Sequence, residues 1–171
     1  MQTTLILGIG NTLLTDEGIG VHVLDHIRHN HPDLQNVTCV DGGTLSFSLA
    51  ADIQDHDRLI VIDAAQLGLK AGTVCCMEQG DMDRFLGTAR RSVHEVGLLD
   101  LMDIARLTES LPENRALIGI QPAVMDWGES PTAAVQAAIP KAVGLALELL
   151  ARWQQNPSHP LSSSIAVETG T

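Results

Sequence analysis

The chain has 171 residues, 44% of them hydrophobic but only 2% aromatic, with a formal charge of −11. That length suits one domain burying roughly 70% of its unfolded surface in a core of Leu, Ile, Val and Ala. The charge argues against nucleic acid or an anionic membrane as partner, and Glu148 breaks the most apolar stretch short of a ~20-residue membrane span.

Residues 4–9 form an apolar run without charge, the pattern of a strand buried on both faces of a parallel sheet. No basic segment precedes it, so no secretory signal is expected. Gly8, Gly10 and Asn11 then allow a tight turn, and the adjacent carboxylates Asp16 and Glu17 stand where a helix begins. Gly8-x-Gly10 starts like a dinucleotide fingerprint. Leu13 occupies the third glycine position, however, and two acids at the helix start would repel a pyrophosphate. A nucleotide cradle is therefore rejected in favour of a cation, or of a proton to be moved.

From Glu17 to Asn30 the spacing is helical, with Ile19, Val23, Leu24 and Ile27 on one face. His22, His26 and His29 line a neighbouring face, and with no acid or cysteine in the row they read as solvated rather than metal-binding. Residues 36–41 form a second strand ending on Asp41, before Gly42-Gly43, and Thr44 is placed to cap a short helix through Asp52. Residues 58–63, Arg-Leu-Ile-Val-Ile-Asp, are the clearest buried strand and also end on a carboxylate. A fourth strand is expected at 72–78, at an edge, and a short helix with a mobile loop over 80–91.

Ser92 and Glu95 fit a capping box that opens a helix to Glu109, with Leu98, Leu101, Met102 and Ala105 as its stripe and His94 in its first turn. Residues 115–121 form a fifth strand stopped by Pro122. Ser130-Pro131 reads as a cap followed by the first helical position, and Pro140 should kink or split the helix that follows. Val143, Leu147, Leu150 and Trp153 should then cover the sheet. The single domain spans 1–153, and the Ser-, Pro- and Gly-containing stretch 154–171 is expected to be a disordered tail. Cys39, Cys75 and Cys76 have no zinc-like spacing and read as small apolar strand residues, Cys75 and Cys76 on opposite faces.

The pattern predicts a three-layer α/β/α sandwich with a mostly parallel, doubly wound sheet of about five strands. In such a sheet, residues just past the carboxyl ends of central strands converge on one crevice. That would gather Asp16 or Glu17, Asp41, Asp63 and His94, and two carboxylates with an imidazole suit a transition metal. A helix N-terminus disfavours an imidazolium, which favours the neutral, metal-binding form of His94. Each also has a plainer reading: Asp16 as a cap, Glu17 as a first-turn acid, Asp41 as the start of a turn, His94 as an exposed first-turn residue. Asp63, ending a fully buried strand, is hardest to explain that way. A phosphorelay receiver would share the acidic pair and the strand-three aspartate. It would also need a lysine after strand five, where this chain has Gln121-Pro122, and a Ser or Thr closing strand four.

Leu7-Gly-Ile-Gly-Asn-Thr-Leu-Leu-Thr-Asp-Glu-Gly-Ile-Gly20 closely resembles the opening of the NiFe-hydrogenase maturation endopeptidases. Asp41-Gly-Gly-Thr44, Leu59-Ile-Val-Ile-Asp-Ala64, His94-Glu-Val-Gly-Leu98 and Gly119-Ile-Gln-Pro122 resemble later blocks of that family in order. The likeness spans residues 5–153. It implies a cytoplasmic endopeptidase that removes the C-terminal extension of a hydrogenase large-subunit precursor once nickel is in place. It implies Glu17, Asp63 and His94 as metal ligands, with Ni2+ supplied by the substrate and Zn2+ or Cd2+ able to substitute in vitro. Asp16 and Asp41 are the candidate catalytic carboxylates, compatible with an aspartyl-type peptidase. The residues alone would not separate nickel from zinc or identify a peptide substrate. The alternative from another class is a non-catalytic metal-dependent chaperone or a receiver-like switch.

Overall fold

In the computed structural model the uncharged run at the start becomes β1 (Thr4–Ile9), buried along its whole length. The structure describes residues 1–88, 93–155 and 165–167; for 93–96 and 165–167 only the backbone is described. A 3-10 turn (Thr15–Gly18) leads into α1 (Ile19–Asn30), followed by β2 (Val37–Gly43), α2 (Leu49–Gln54) and β3 (Arg58–Ala64). The second half contains β4 (Val74–Glu78), α3 (Gln79–Leu86), α4 (Val93–Leu107), β5 (Asn114–Ile120), α5 (Ala133–Gln136), α6 (Ile139–Gln155) and a three-residue β6 (Ile165–Val167).

The strand order is β2-β1-β3-β5-β4-β6. The first four run parallel; β4 is antiparallel to β5, and β6 is antiparallel to β4. Alternate residues of β1 and β3 supply two cores. Ile6, Ile60 and Ile62 face α1 and α6, while Leu5, Leu7, Leu59 and Val61 face α2, α3 and α4. Burial on both faces explains why these strands read as continuous apolar runs. Cys76 and Cys75 fall into the two different cores, as alternation requires.

The chain passes from β1 outward to β2 on one side, and from β3 to β4 and then back to β5 on the other. The change of direction therefore lies between β1 and β3, at their carboxyl ends, where a doubly wound sheet opens its crevice. Register sets the candidate acids along that edge: Gly8 of β1 pairs with both Asp41 and Ile62, so Asp41, Asp63 and the turn after β1 share it.

Some boundaries differ from the sequence pattern. Thr44 caps no helix: the Gly43 N–H donates to Asp41 Oδ1 at 2.8 Å, and positive φ at Gly43 and Leu45 keeps this stretch a loop until α2 begins at Leu49. Ser130 is likewise not the cap. Thr132 holds that position before α5, but its side chain makes no cap bond because it is turned to Asp16. The helix is split as Pro140 suggests, with the break just ahead of it and the proline in the first turn of α6.

Taken together, Ala133–Gln155 is long and apolar enough by composition to cross a membrane. Its stripe of Ala142, Ala146, Leu149, Leu150 and Trp153 is buried against the sheet instead, as in a core helix. Of the expected tail, Gln154 and Gln155 finish α6 and Ile165–Val167 forms β6; 156–164 and 168–171 lie outside the described residues. Ser92 and residues 89–91 of the expected mobile loop also lie outside them.

Candidate active site at the carboxyl edge of the sheet

The opening glycines bring a helix start down onto the strand ends. A Cβ on Gly20 would lie 2.1 Å from the Ile62 carbonyl oxygen and 2.3 Å from that of Ile9. One on Gly10, where φ is +136°, would lie 1.9 Å from the Glu17 carbonyl oxygen. No side chain can be placed at either position, so these glycines serve close backbone approach rather than phosphate binding. The consequence is that the 3-10 turn bearing Asp16 and Glu17 packs on the end of β3, the strand of Asp63.

Asp16 is fully buried (0% exposed) and closely bonded. Its Oδ2 accepts from the N–H groups of Ala123 (2.8 Å) and Val124 (2.9 Å) and from the Thr132 hydroxyl (3.0 Å). Its Oδ1 accepts from the Thr132 N–H at 2.7 Å. Burial pushes this carboxyl upward, but the backbone N–H groups of Val124, Thr132 and Ala123 outweigh it and hold the group below its ordinary value. Thr15 strengthens the same joint. It sits at φ 45°, unusual for a β-branched residue. That conformation is fixed by its N–H on the Gly128 carbonyl (2.7 Å) and its hydroxyl on the carbonyls of Val124 (2.7 Å) and Asp126 (3.0 Å). The loop after β5 and the turn after β1 are thus one bonded unit.

Asp63 lies at the end of β3, beside Gly119 of β5, and is 2% exposed. Glu17 is half-buried in the turn packed on that strand end. His94 is in the first turn of α4, as expected, but its side chain lies outside the described residues. This end of α4 is at the same edge, since a Cβ on Gly97 would lie 3.2 Å from Leu45 in the loop after β2. Among the described side chains no group of three or more His, Cys, Asp or Glu could hold a metal ion. The described geometry therefore brings two of the expected ligands to one edge, and the backbone of the third to the helix beside it. Carboxylate and imidazole donors form a set suited to a borderline divalent transition metal.

Asp41 is exposed, and among the described residues its Oδ1 accepts from the Gly43 N–H. Beside it the loop 44–47 and Gly97, Asp100 and Leu101 of α4 enclose a cavity of about 300 Å³. Burial raises Cys39 and Cys75, and burial with Glu78 beside it pushes Cys76 up to about 12, so all three are disfavoured as thiolates. Of the histidine row, His26 and His29 are exposed as expected, with His29 Nδ1 bonded to the Asp25 carbonyl at 2.7 Å. His22, in the first turn of α1, is instead half-buried, and its Nε2 is buried without a hydrogen-bond partner among the described residues. The sequence pattern assigns no anchoring role to Thr15, Thr132 or Gln121. Gln121 Oε1 accepts from the Leu67 N–H at 2.7 Å, fixing the loop that leaves Asp63. Such anchors have no local signature, because each acts on a segment far along the chain.

A profile of the hydrogenase maturation protease family (HycI) matches residues 21–149. The hydrogenase expression/formation protein HupD of Rhizobium leguminosarum bv. viciae is 39% identical over 150 residues, covering 87% of this chain and 74% of that protein. The hydrogenase 2 maturation protease of Escherichia coli (strain K12) is 33% identical over 147 residues, covering 85% of this chain and 89% of that one. Among solved structures, the hydrogenase maturating endopeptidase HybD from E. coli superposes with a TM-score of 0.81 at 28% identity, over 96% of this chain and 97% of that chain. The [NiFe] hydrogenase maturation protease HybD from Thermococcus kodakarensis gives 0.74 at 29% identity, over 86% and 98%. The chain belongs to the hydrogenase maturation protease family.

Proposed function

We propose that this protease removes the C-terminal extension of a NiFe-hydrogenase large-subunit precursor in the cytoplasm, and that it selects the precursor by the nickel already bound there. The observation that carries the reading is the docking of the Glu17 turn onto the end of the Asp63 strand, in a chain of this family. Glu17, Asp63 and His94 would hold the substrate's Ni2+, with Zn2+ or Cd2+ as in vitro substitutes. Three protein donors leave coordination positions for groups of the precursor, so the metal can join the two proteins and a nickel-free precursor lacks its anchor.

Hydrolysis adds water to the scissile carbonyl carbon and returns a proton to the departing amine. Of the two carboxylates considered for the base, Asp41 has the better placement, being exposed with one oxygen engaged. Asp16, closed in by donors, is assigned to holding the loop 123–132. The test is incubation of the purified protein with nickel-loaded and nickel-free precursor, reading the C-terminus by mass. Cutting of the nickel-loaded form alone is expected. No cutting of either would favour a metal-dependent chaperone or switch, and equal cutting of both would remove nickel from the recognition.

A further inference from the structure

Resting on the protease reading above, we propose that Leu13, Val124, Met125 and Trp127 form a docking patch for an apolar, basic-flanked segment of the precursor, held in register with Glu17 through Thr15 and Asp16. Trp127 is 79% exposed, Leu13 49%, Val124 43% and Met125 42%, while the other tryptophan, Trp153, is 1% exposed. Single exposed apolar residues are ordinary, whereas a cluster on one surface marks a contact site. These residues are clustered. Three fall within one short loop, and Leu13 is brought to the same place by the Gly128 N–H on its carbonyl (2.9 Å) and by the Leu14–Gly128 bridge. Trp and Met are also the residue types enriched where proteins grip one another.

The patch is built on rigid backbone. Val124 gives its N–H to Asp16 and its carbonyl to Thr15, and the Asp126 carbonyl also accepts from Thr15. A segment bound on Trp127 would therefore reach the Glu17 turn in a fixed register, with little ordering cost on the enzyme side. Charge selects the occupant. The loop 122–130 holds Asp126 and Glu129 and no Lys or Arg, in a chain of net charge −11. Two copies of this acidic face would repel, whereas basic residues flanking an apolar stretch of another protein would be attracted.

The test is steady-state processing of nickel-loaded precursor by Trp127→Ala, Trp127→Phe and the Asp126→Lys/Glu129→Lys pair, with a thermal melt of each. Trp127→Ala should raise KM about 10-fold and leave kcat within about twofold, with Trp127→Phe recovering part of the loss. The charge pair should raise KM and weaken its dependence on salt. Unchanged KM in Trp127→Ala and in the charge pair would overturn the proposal. So would a wild-type dimer that becomes a monomer in Trp127→Ala with processing unaltered. If the wild type does not cut at all, the protease reading fails separately. Titration of nickel-loaded precursor onto wild type and Trp127→Ala then decides the patch: weaker binding by the variant supports it, and equal binding overturns it.

Discussion

Asp16 and Asp83 lie at opposite edges of one sheet, and both carboxyls are held below the usual carboxylate range. The physics differs. Burial pushes each upward; around Asp16 it is outweighed by neutral N–H groups of a single loop, and around Asp83 by the guanidinium groups of Arg115 and Arg106. Arg115 Nη2 sits 2.6 Å from Asp83 Oδ2 at the start of β5, and Arg106 Nη2 of α4 sits 3.2 Å from the same oxygen. Asp83 therefore ties α3 to α4 and to the amino end of β5. The donors on Asp16 are neutral N–H and O–H groups, so this brace fixes the loop beside the Glu17 turn without itself adding a cation. One edge is organised for stability by charge, the other for geometry by neutral hydrogen bonds.

The sharpest way to break that contrast is at the carboxyl edge itself. Asp63→Asn keeps the shape and removes the charge, so the protein should still fold and melt cooperatively. Processing of nickel-loaded precursor should fall by roughly 100-fold or more, because losing a ligand exceeds the 10–100-fold typical of its supporting partners. His94→Ala should behave alike, and normal cutting by Asp63→Asn would remove it from the metal site. Asp41→Ala should also melt normally while slowing kcat roughly 100-fold, the scale of a lost general base. An unchanged kcat would return Asp41 to a turn-forming role.

Asp16→Ala should act on both properties at once. It leaves buried N–H groups of the loop without an acceptor, at a cost of about 3 kcal/mol, read as a lower urea midpoint. Processing should weaken because the Glu17 turn loses its brace. Asp16→Asn should be scarcely better, since its amide would turn N–H toward N–H on one side of the carboxylate site. Full stability of Asp16→Asn would show that the loop is held by Thr15 alone.

The same contrast bears on what the sequence could disclose. β1 and β3 were legible because burial on both faces leaves an uninterrupted apolar run, and the glycines after β1 because only a missing Cβ permits such close approach. Parallel strands carry Asp41 and Asp63 to one edge once strand ends are known, so their shared location followed from topology. The role of Asp16 did not. Adjacent to a helix start it looks like a cap, and its real donors lie more than a hundred residues away in the loop after β5. The misplaced caps at Thr44 and Ser130 have the same cause. Their local pattern was sound, but Asp41 makes its own turn and Asp16 takes the Thr132 hydroxyl. Tertiary partners override local signals where a loop is held by distant groups.

The Asp83 cluster supplies the matching test at the other edge, with the smallest expected effect. Its folded pKa is lowered from 3.8, so between that lowered value and 3.8 the unfolded chain holds a proton that the folded one does not. Stability from Asp83 is therefore fully present above the ordinary carboxylate range and is lost as pH falls through the folded pKa. Asp83→Asn should cost about 1 kcal/mol at pH 6, a modest figure because the pair with Arg106 is partly exposed and solvent-screened. Urea melts of wild type and variant should converge as pH drops below 4, since the protonated aspartate no longer holds the arginines. Processing at neutral pH should stay within about twofold of wild type, because the cluster lies at the amino edge and touches neither the turn of Glu17 nor the loop of Trp127. A stability gap of equal size at pH 3 and pH 6 would mean that packing, not charge, holds α3 in place. A large loss of processing would mean that the two edges are coupled through α4, whose first turn carries His94 and whose last turn carries Arg106.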